Sequence, residues 1–232
     1  MASLFVEPSW FFGYDIVLEL LFVIIAGLVS YYAWKIYKVT GERNLKLFSL
    51  AFLFIMLSYV IQSVMNFIIL AKFDDDMTLL MNLRSVYFFN LFAIYAQAIL
   101  FLIGLLLLAY IALKIFSLQT FVLLFILVFT SLFFSPYKTF MLYLLSTVLL
   151  AFIVYYYLNN YWNNRKASTL MVLIAMICLF VSNLSFIFAT DEASYYVVGH
   201  ILELTAYVLV LVNLLVIIRF GRQKLKNGKK TR

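Results

Sequence analysis

Five stretches of this chain, Leu47 to Ala71, Ser85 to Leu113, Ile115 to Tyr137, Thr139 to Asn164 and Ala167 to Thr190, each run for 23 residues or more without a charge. Few folds can hold such runs. About 20 apolar residues in helical form cross a hydrocarbon core roughly 30 Å thick. In that medium the backbone must satisfy its own hydrogen bonds, so only helices and closed barrels span it. These runs are continuous Leu, Ile, Phe and Val, without the inside-outside alternation of a lipid-facing barrel strand. Two further spans carry acids: about Tyr14 to Trp34, interrupted by Asp15 and Glu19, and about Tyr195 to Ile218, interrupted by His200 and Glu203. The expected fold is therefore all-α, a polytopic integral membrane bundle of seven transmembrane helices. Composition agrees: 67% of residues are hydrophobic, 12% are charged and the mean hydropathy is +1.09, which removes a soluble domain from consideration.

The 17 Lys and Arg sort by the span ends they flank, fourteen on the side of Lys35, Lys114, Arg165 and the tail, three (Lys72, Arg84 and Lys138) on the other. The positive-inside bias places the amino terminus outside and the carboxy terminus in the cytoplasm. The chain then divides into a short outer segment 1–13, a transmembrane domain 14–218 and a basic cytoplasmic tail 219–232. The opening MASLFVEPSWFFGYD has no basic n-region and reads as retained chain rather than a cleaved signal peptide. Trp10, Phe11, Phe12, Tyr14, Tyr195 and Tyr196 form one aromatic belt, and Tyr31, Trp34, Tyr155 and Trp162 belong to the other. Asp74, Asp75 and Asp76 lack the spaced oxygens and the turn glycine of a calcium loop. They are expected to favour the start of the third helix.

Several chemistries are excluded by residue type. No lysine lies between Tyr195 and Ile218 to form a retinal Schiff base. His200 is the only histidine and Cys178 the only cysteine, so histidine-rich zinc sites, cysteine clusters and bis-histidine haem are all ruled out. No cofactor is expected; a single-histidine haem or metal is the sole form left open. Phosphate-cradling glycine loops and nucleophile elbows are absent. Neither proline lies in the membrane interior and only Gly27, Gly104 and Gly199 fall within spans. Nearly continuous helices packed by large side chains are therefore expected, which weighs against a transporter site built from broken helices and leaves rocking of straight helices open.

The informative feature is the depth of the polar side chains. At about 1.5 Å per residue from the outer ends of the spans, Glu19, Asn66, Asn90, Asn183 and His200 lie roughly 9 to 11 Å in, and Gln62 and Glu203 roughly 14 Å. Gln62 and Asn66 are four apart and His200 and Glu203 three apart, so each pair shares a helix face. Carboxylates within a membrane face the bundle interior and need partners. His200 is the natural partner of Glu19 or Glu203, and Asp15 with Arg84 forms a second candidate pair nearer the surface. Two readings stay open: a buried cluster that orients helices, and an outward-facing pocket for a small ligand, cation or proton. The tail's seven basic residues in fourteen suit anionic lipid or an acidic cytoplasmic partner, and no folded module supports nucleic-acid binding.

The segments FFGYDIVLEL in the first span, YKVTGERNLKLFSLAF entering the second and GHILELTAYVLVLVNLL in the last resemble the seven-helix membrane input regions of prokaryotic sensor proteins. The resemblance implies a sensor-like or receptor-like, non-enzymatic protein of a prokaryotic cell membrane. Because the chain ends without an output domain, it also implies a separate signalling or complex subunit. The rival expectation is a proton-coupled small-solute transporter using Glu19 and Glu203.

The topology has a direct check. In a Cys178→Ala background, a cysteine at Ser194 is expected to react with an impermeant thiol reagent added to intact cells, and one at Thr231 to stay unlabelled. The reverse pattern overturns the orientation.

Overall fold

The computed structural model describes residues 11–72, 79–113, 117–189 and 192–230, with side chains for all of these except 12, 69–72, 79–90 and 220–230. Seven helices follow one another: α1 Phe12–Thr40, α2 Arg43–Lys72, α3 Leu79–Ala112, α4 Leu118–Phe134, α5 Lys138–Asn164, α6 Ala167–Phe188 and α7 Ala193–Lys230. Six of them, all but α4, contain stretches long and apolar enough to cross a membrane. The chain is an integral membrane protein with an all-α fold. Asp74, Asp75 and Asp76 fall outside the described residues.

Side-chain periodicity explains which way each helix faces. On α1, Asp15, Glu19, Phe22, Ala26, Val29 and Ala33 are buried, while Val17, Leu20, Ile24, Leu28 and Tyr31 are exposed. On α7, Tyr196, His200, Glu203, Tyr207, Val210 and Leu214 are buried, while Val198, Ile201, Val208, Val212 and Leu215 are exposed. Both stripes recur at three- and four-residue steps. Polar groups lie on the inward face and aliphatic ones on the outward face, which is the arrangement lipid requires.

Six helices form a closed ring. α1 packs on α2 and α7, α2 on α3, α3 on α5, α5 on α6, and α6 on α7. The remaining helix, α4, stands outside the ring against α3 and α5. The charge-free run from Ile115 to Tyr137 is expected to form a full span, but the helix within it has 17 residues, about 26 Å at 1.5 Å per residue. Its limits have local causes. The Ser117 side chain accepts the Thr120 N–H (3.5 Å) at one end, and at the other Ser135-Pro136 stops the helix. The Lys138 Nζ donates to the carbonyls of Leu132 (3.3 Å) and Phe133 (2.6 Å), covering carbonyls that the helix end leaves free. Tyr95 of α3 stacks on Phe133 with ring centroids 5.3 Å apart.

Large side chains fill the centre of the ring, with Phe22, Phe52, Ile55, Leu102, Leu150 and Met176 among the fully buried. The helix seams differ from the expectation of bulky packing, because small residues line them. The Ser30 Oγ donates to the Ser49 carbonyl (2.9 Å) and the Ser49 Oγ donates back to that of Ser30 (2.8 Å), joining α1 to α2. At the α2–α3 seam, a Cβ built on Gly104 would lie 2.6 Å from the Ile55 Cγ1 and 2.9 Å from the Ala51 carbonyl oxygen. Small residues let helix backbones approach in lipid, where dispersion and hydrogen bonds carry association. Alanine, which supplies much of this lining, escapes a search for glycine motifs.

Gly104 and Gly27 make a paired test. Alanine removes the helical cost of glycine, about 1 kcal/mol, but at 104 it meets backbone and at 27 only the mobile tip of Met56, whose Sδ lies 3.0 Å from the built Cβ. Gly104→Ala is expected to lower stability by about 1–3 kcal/mol in detergent unfolding, with Gly27→Ala near neutral or stabilising. The opposite order would contradict this packing.

Candidate functional site

Near the ends where α1 and α7 begin, the inward stripes of both helices turn polar. His200 lies between two carboxylates: its Nε2 is 3.0 Å from the Asp15 Oδ1 on α1, and its Nδ1 is 4.0 Å from the Glu203 Oε2, one turn along α7. Neither ring nitrogen is aimed squarely enough at a carboxylate for a straight hydrogen bond, so these are close polar contacts. The doubly protonated imidazole is the form that offers a donor to both acids. The second carboxylate oxygen of Asp15, Oδ2, accepts the Tyr196 hydroxyl (2.9 Å). All three ionisable groups are at most 3% exposed.

A second chain of contacts starts from Glu203. The Tyr59 hydroxyl, reaching from α2 through the middle of the ring, donates to the Glu203 Oε1. The Tyr207 hydroxyl lies 3.2 Å from that of Tyr59. Tyr59 gives its one proton to the acid, and the Tyr207 hydroxyl stands within reach of both Tyr59 and Glu203. The three groups form one buried set in which hydrogen bonds polarise one another.

Aromatic rings hold the imidazole in place. Phe11 and Phe22 lie roughly parallel to it at 6.0 Å, while Phe186 (4.9 Å) and Tyr196 (4.6 Å) meet it edge-on. This box excludes water from most of the ring, so its polar surroundings are chiefly the two acids. Beside it, Ser58, Tyr59, Gln62, Gln97, Phe101, Tyr143 and Glu203 help to line a cavity with room for about one water molecule. The imidazole stands between the two acids, so their lone pairs do not converge. Among the described residues, no three His, Cys, Asp or Glu side chains come together to hold a metal ion.

The other residues singled out by depth divide between two helix pairs. Glu19 is fully buried and accepts the Asn66 Nδ2 (2.7 Å), joining α1 to α2. The Gln62 Oε1 accepts the Gln97 Nε2 (2.6 Å), joining α2 to α3, and the Ser58 Oγ donates to the Gln97 carbonyl (3.1 Å). Asn183 is buried, but its Nδ2 turns back to the Leu179 carbonyl of its own helix (2.9 Å). The side chains of Asn90 and Arg84 lie outside the described residues. Sequence reasoning passed over Tyr59, Gln97, Tyr196 and Tyr207. Tyr196 and Phe11, read as belt residues, are each 5% exposed and belong to the site. The signal that could have found them is spacing, because Tyr196, His200, Glu203 and Tyr207 follow one another at four, three and four residues along one face.

The sequence profile of a family of unknown function, DUF7521, matches residues 16–85. That stretch holds Glu19, Tyr59, Gln62 and Asn66, while Asp15 and the α7 half of the site lie beyond it. No curated protein and no solved structure matches the chain.

The geometry specifies a pattern of coupling. In a double-mutant cycle of Asp15→Asn with His200→Gln, the effects on unfolding free energy should depart from additivity by about 1–3 kcal/mol. His200→Gln with Asn213→Ala should be additive within about 0.5 kcal/mol, because Asn213 accepts from Ser168 (2.9 Å) elsewhere in the bundle. Additivity in the first pair would dissolve the cluster.

Proposed function

We propose that this chain is a non-enzymatic, sensor-like membrane protein, with its amino terminus outside and its carboxy terminus in the cytoplasm, that responds to protons arriving from the outer side. The observation that carries the reading is the unbroken set of ionisable and hydroxyl groups Tyr196, Asp15, His200, Glu203, Tyr59 and Tyr207, buried in an apolar bundle and contributed by α1, α2 and α7. Each member carries or accepts an exchangeable proton. In so weak a dielectric a change of one proton alters the interactions by which these helices hold one another, so proton occupancy and helix arrangement are linked. The water-sized cavity supports a proton over an organic ligand.

Proton-coupled transport by Glu19 and Glu203 remains the alternative from another class. The packed layer of Phe52, Ile55 and Leu102 beyond Tyr207 supports sensing over a through-path. In this reading the basic tail meets anionic lipid or an acidic cytoplasmic partner, and a separate subunit carries the output.

Spin labels at Val39→Cys on α1 and Leu215→Cys on α7, in a Cys178→Ala background, test the linkage. Their distance distribution should change as the bath is taken from neutral to acid. Folded Glu203→Gln protein should lose the change. An unchanged distribution in the parent, or an undiminished response in the variant, would overturn the proposal. Solute uptake driven by a proton gradient would favour the transporter instead.

A further inference from the structure

The cluster lies nearer the starts of α1 and α7 than their far ends, with large apolar side chains packed beyond Tyr207, and that has an electrical consequence. We infer that the membrane potential sets the proton occupancy of Glu203 and its partners, because a proton reaches them through part of the transmembrane field and goes no further. This rests on the proton-response reading above and adds a second input, voltage, at the same site.

Three observations carry it. The first is the point of entry: Asp15 and Tyr196, joined by a hydrogen bond, each lie three residues from the start of their helices. The second is depth. Glu203 is ten residues into the spanning part of α7, Ala193–Arg219, about 15 Å from its start and two-fifths of the way to Arg219. The third is the seal. Past Tyr207 come the fully buried Phe52, which packs on its ring, and then Ile55 and Leu102. Beyond that layer, the polar side-chain contacts between helices among the described residues are Asn213 with Ser168 and Ser30 with Ser49.

The groups that share the proton come from several helices. His200 and Tyr207 belong to α7, Asp15 to α1 with Glu19 one turn further along, and Tyr59 to α2. Tyr143 of α5 lines the same cavity, to which α3 presents Gln97 and Phe101 and α6 presents Phe186. Among the described residues, no lysine or arginine forms a salt bridge with Asp15 or Glu203. A proton added here therefore changes the net charge at a fixed depth, and the field acts on that charge.

A charge crossing two-fifths of the field should shift the titration midpoint by about 0.7 pH unit, close to fivefold in proton affinity, per 100 mV. The sign follows from the side of entry. An interior-negative potential draws the proton inward from outside, tightens binding and moves the midpoint to higher pH.

The test uses the full chain in vesicles with the start of α1 facing the bath, with valinomycin and a potassium gradient setting the potential. The readout is the infrared band of the protonated carboxyl that disappears in Glu203→Gln. Should that variant fail to fold, the band is assigned by its displacement in Tyr59→Phe, which keeps the acid and removes its phenolic donor. The expected result is an upward shift of about 0.7 unit for about 100 mV, interior negative, with the same slope in Tyr59→Phe. A midpoint that moves by less than about 0.1 unit, against the shift expected from the field, overturns the voltage inference and leaves the proton-response reading standing. A downward shift overturns entry from the α1 and α7 starts, and the absence of any midpoint overturns both readings.

Discussion

Closure of the helix ring joins the first helix to the last, and the polar part of that joint is Asp15, which His200 approaches at 3.0 Å and to which the Tyr196 hydroxyl donates at 2.9 Å. The interaction is expensive to form, since polar groups taken out of water lose their hydration. It is more expensive to break, because a buried polar group left without its partner keeps that penalty uncompensated. The rest of the site follows from this asymmetry. Tyr196 occupies the second oxygen of Asp15, Tyr59 and Tyr207 support Glu203, and four aromatic rings keep water from the imidazole between them. A purely apolar seam could have joined α1 to α7 at lower cost. Placing a carboxyl group and the chain's only histidine there underlies the proposed sensitivity of the joint to protonation.

The surrounding bundle makes the cluster one-sided. Lipid-facing surfaces are aliphatic and aromatic, seams are Ala, Ser and Gly, and the layer beyond Tyr207 is packed with large side chains. A six-helix ring with α4 outside it leaves the polar groups enclosed by α1, α2, α3, α5, α6 and α7. Lys138 fastens α4 at its last turn, which lets that helix lie at the periphery without contributing to the polar centre.

Much of this architecture is legible in the spacing of charges. The uncharged runs from Thr139 to Asn164 and from Ala167 to Thr190 coincide closely with α5 and α6, because a membrane helix ends where the charged residues begin. The displacement of α4 is not legible, since it depends on contacts of Tyr95, Phe133 and Lys138 made across three helices. Depth located Glu19 with its partner Asn66 and His200 with Glu203, but not Tyr59, Tyr196 and Tyr207. Asp15 lies near the start of its helix and so reads as a surface residue, yet Phe11 and Tyr196 cover it and it is 1% exposed. Tyrosines near span ends read as interfacial belt for the same reason. Along-helix depth and exposure are separate coordinates, and only the first is written in the sequence.

The single histidine makes the central claim directly measurable. Histidine labelled with nitrogen-15 gives one imidazole in bilayer NMR spectra, so its two ring nitrogens report Asp15 and Glu203 separately. The account predicts that Asp15→Asn displaces chiefly the Nε2 resonance and Glu203→Gln chiefly the Nδ1 resonance, and that both change as the bath pH is varied. A spectrum that is indifferent to both substitutions, and that titrates like a free imidazole in water, would contradict it.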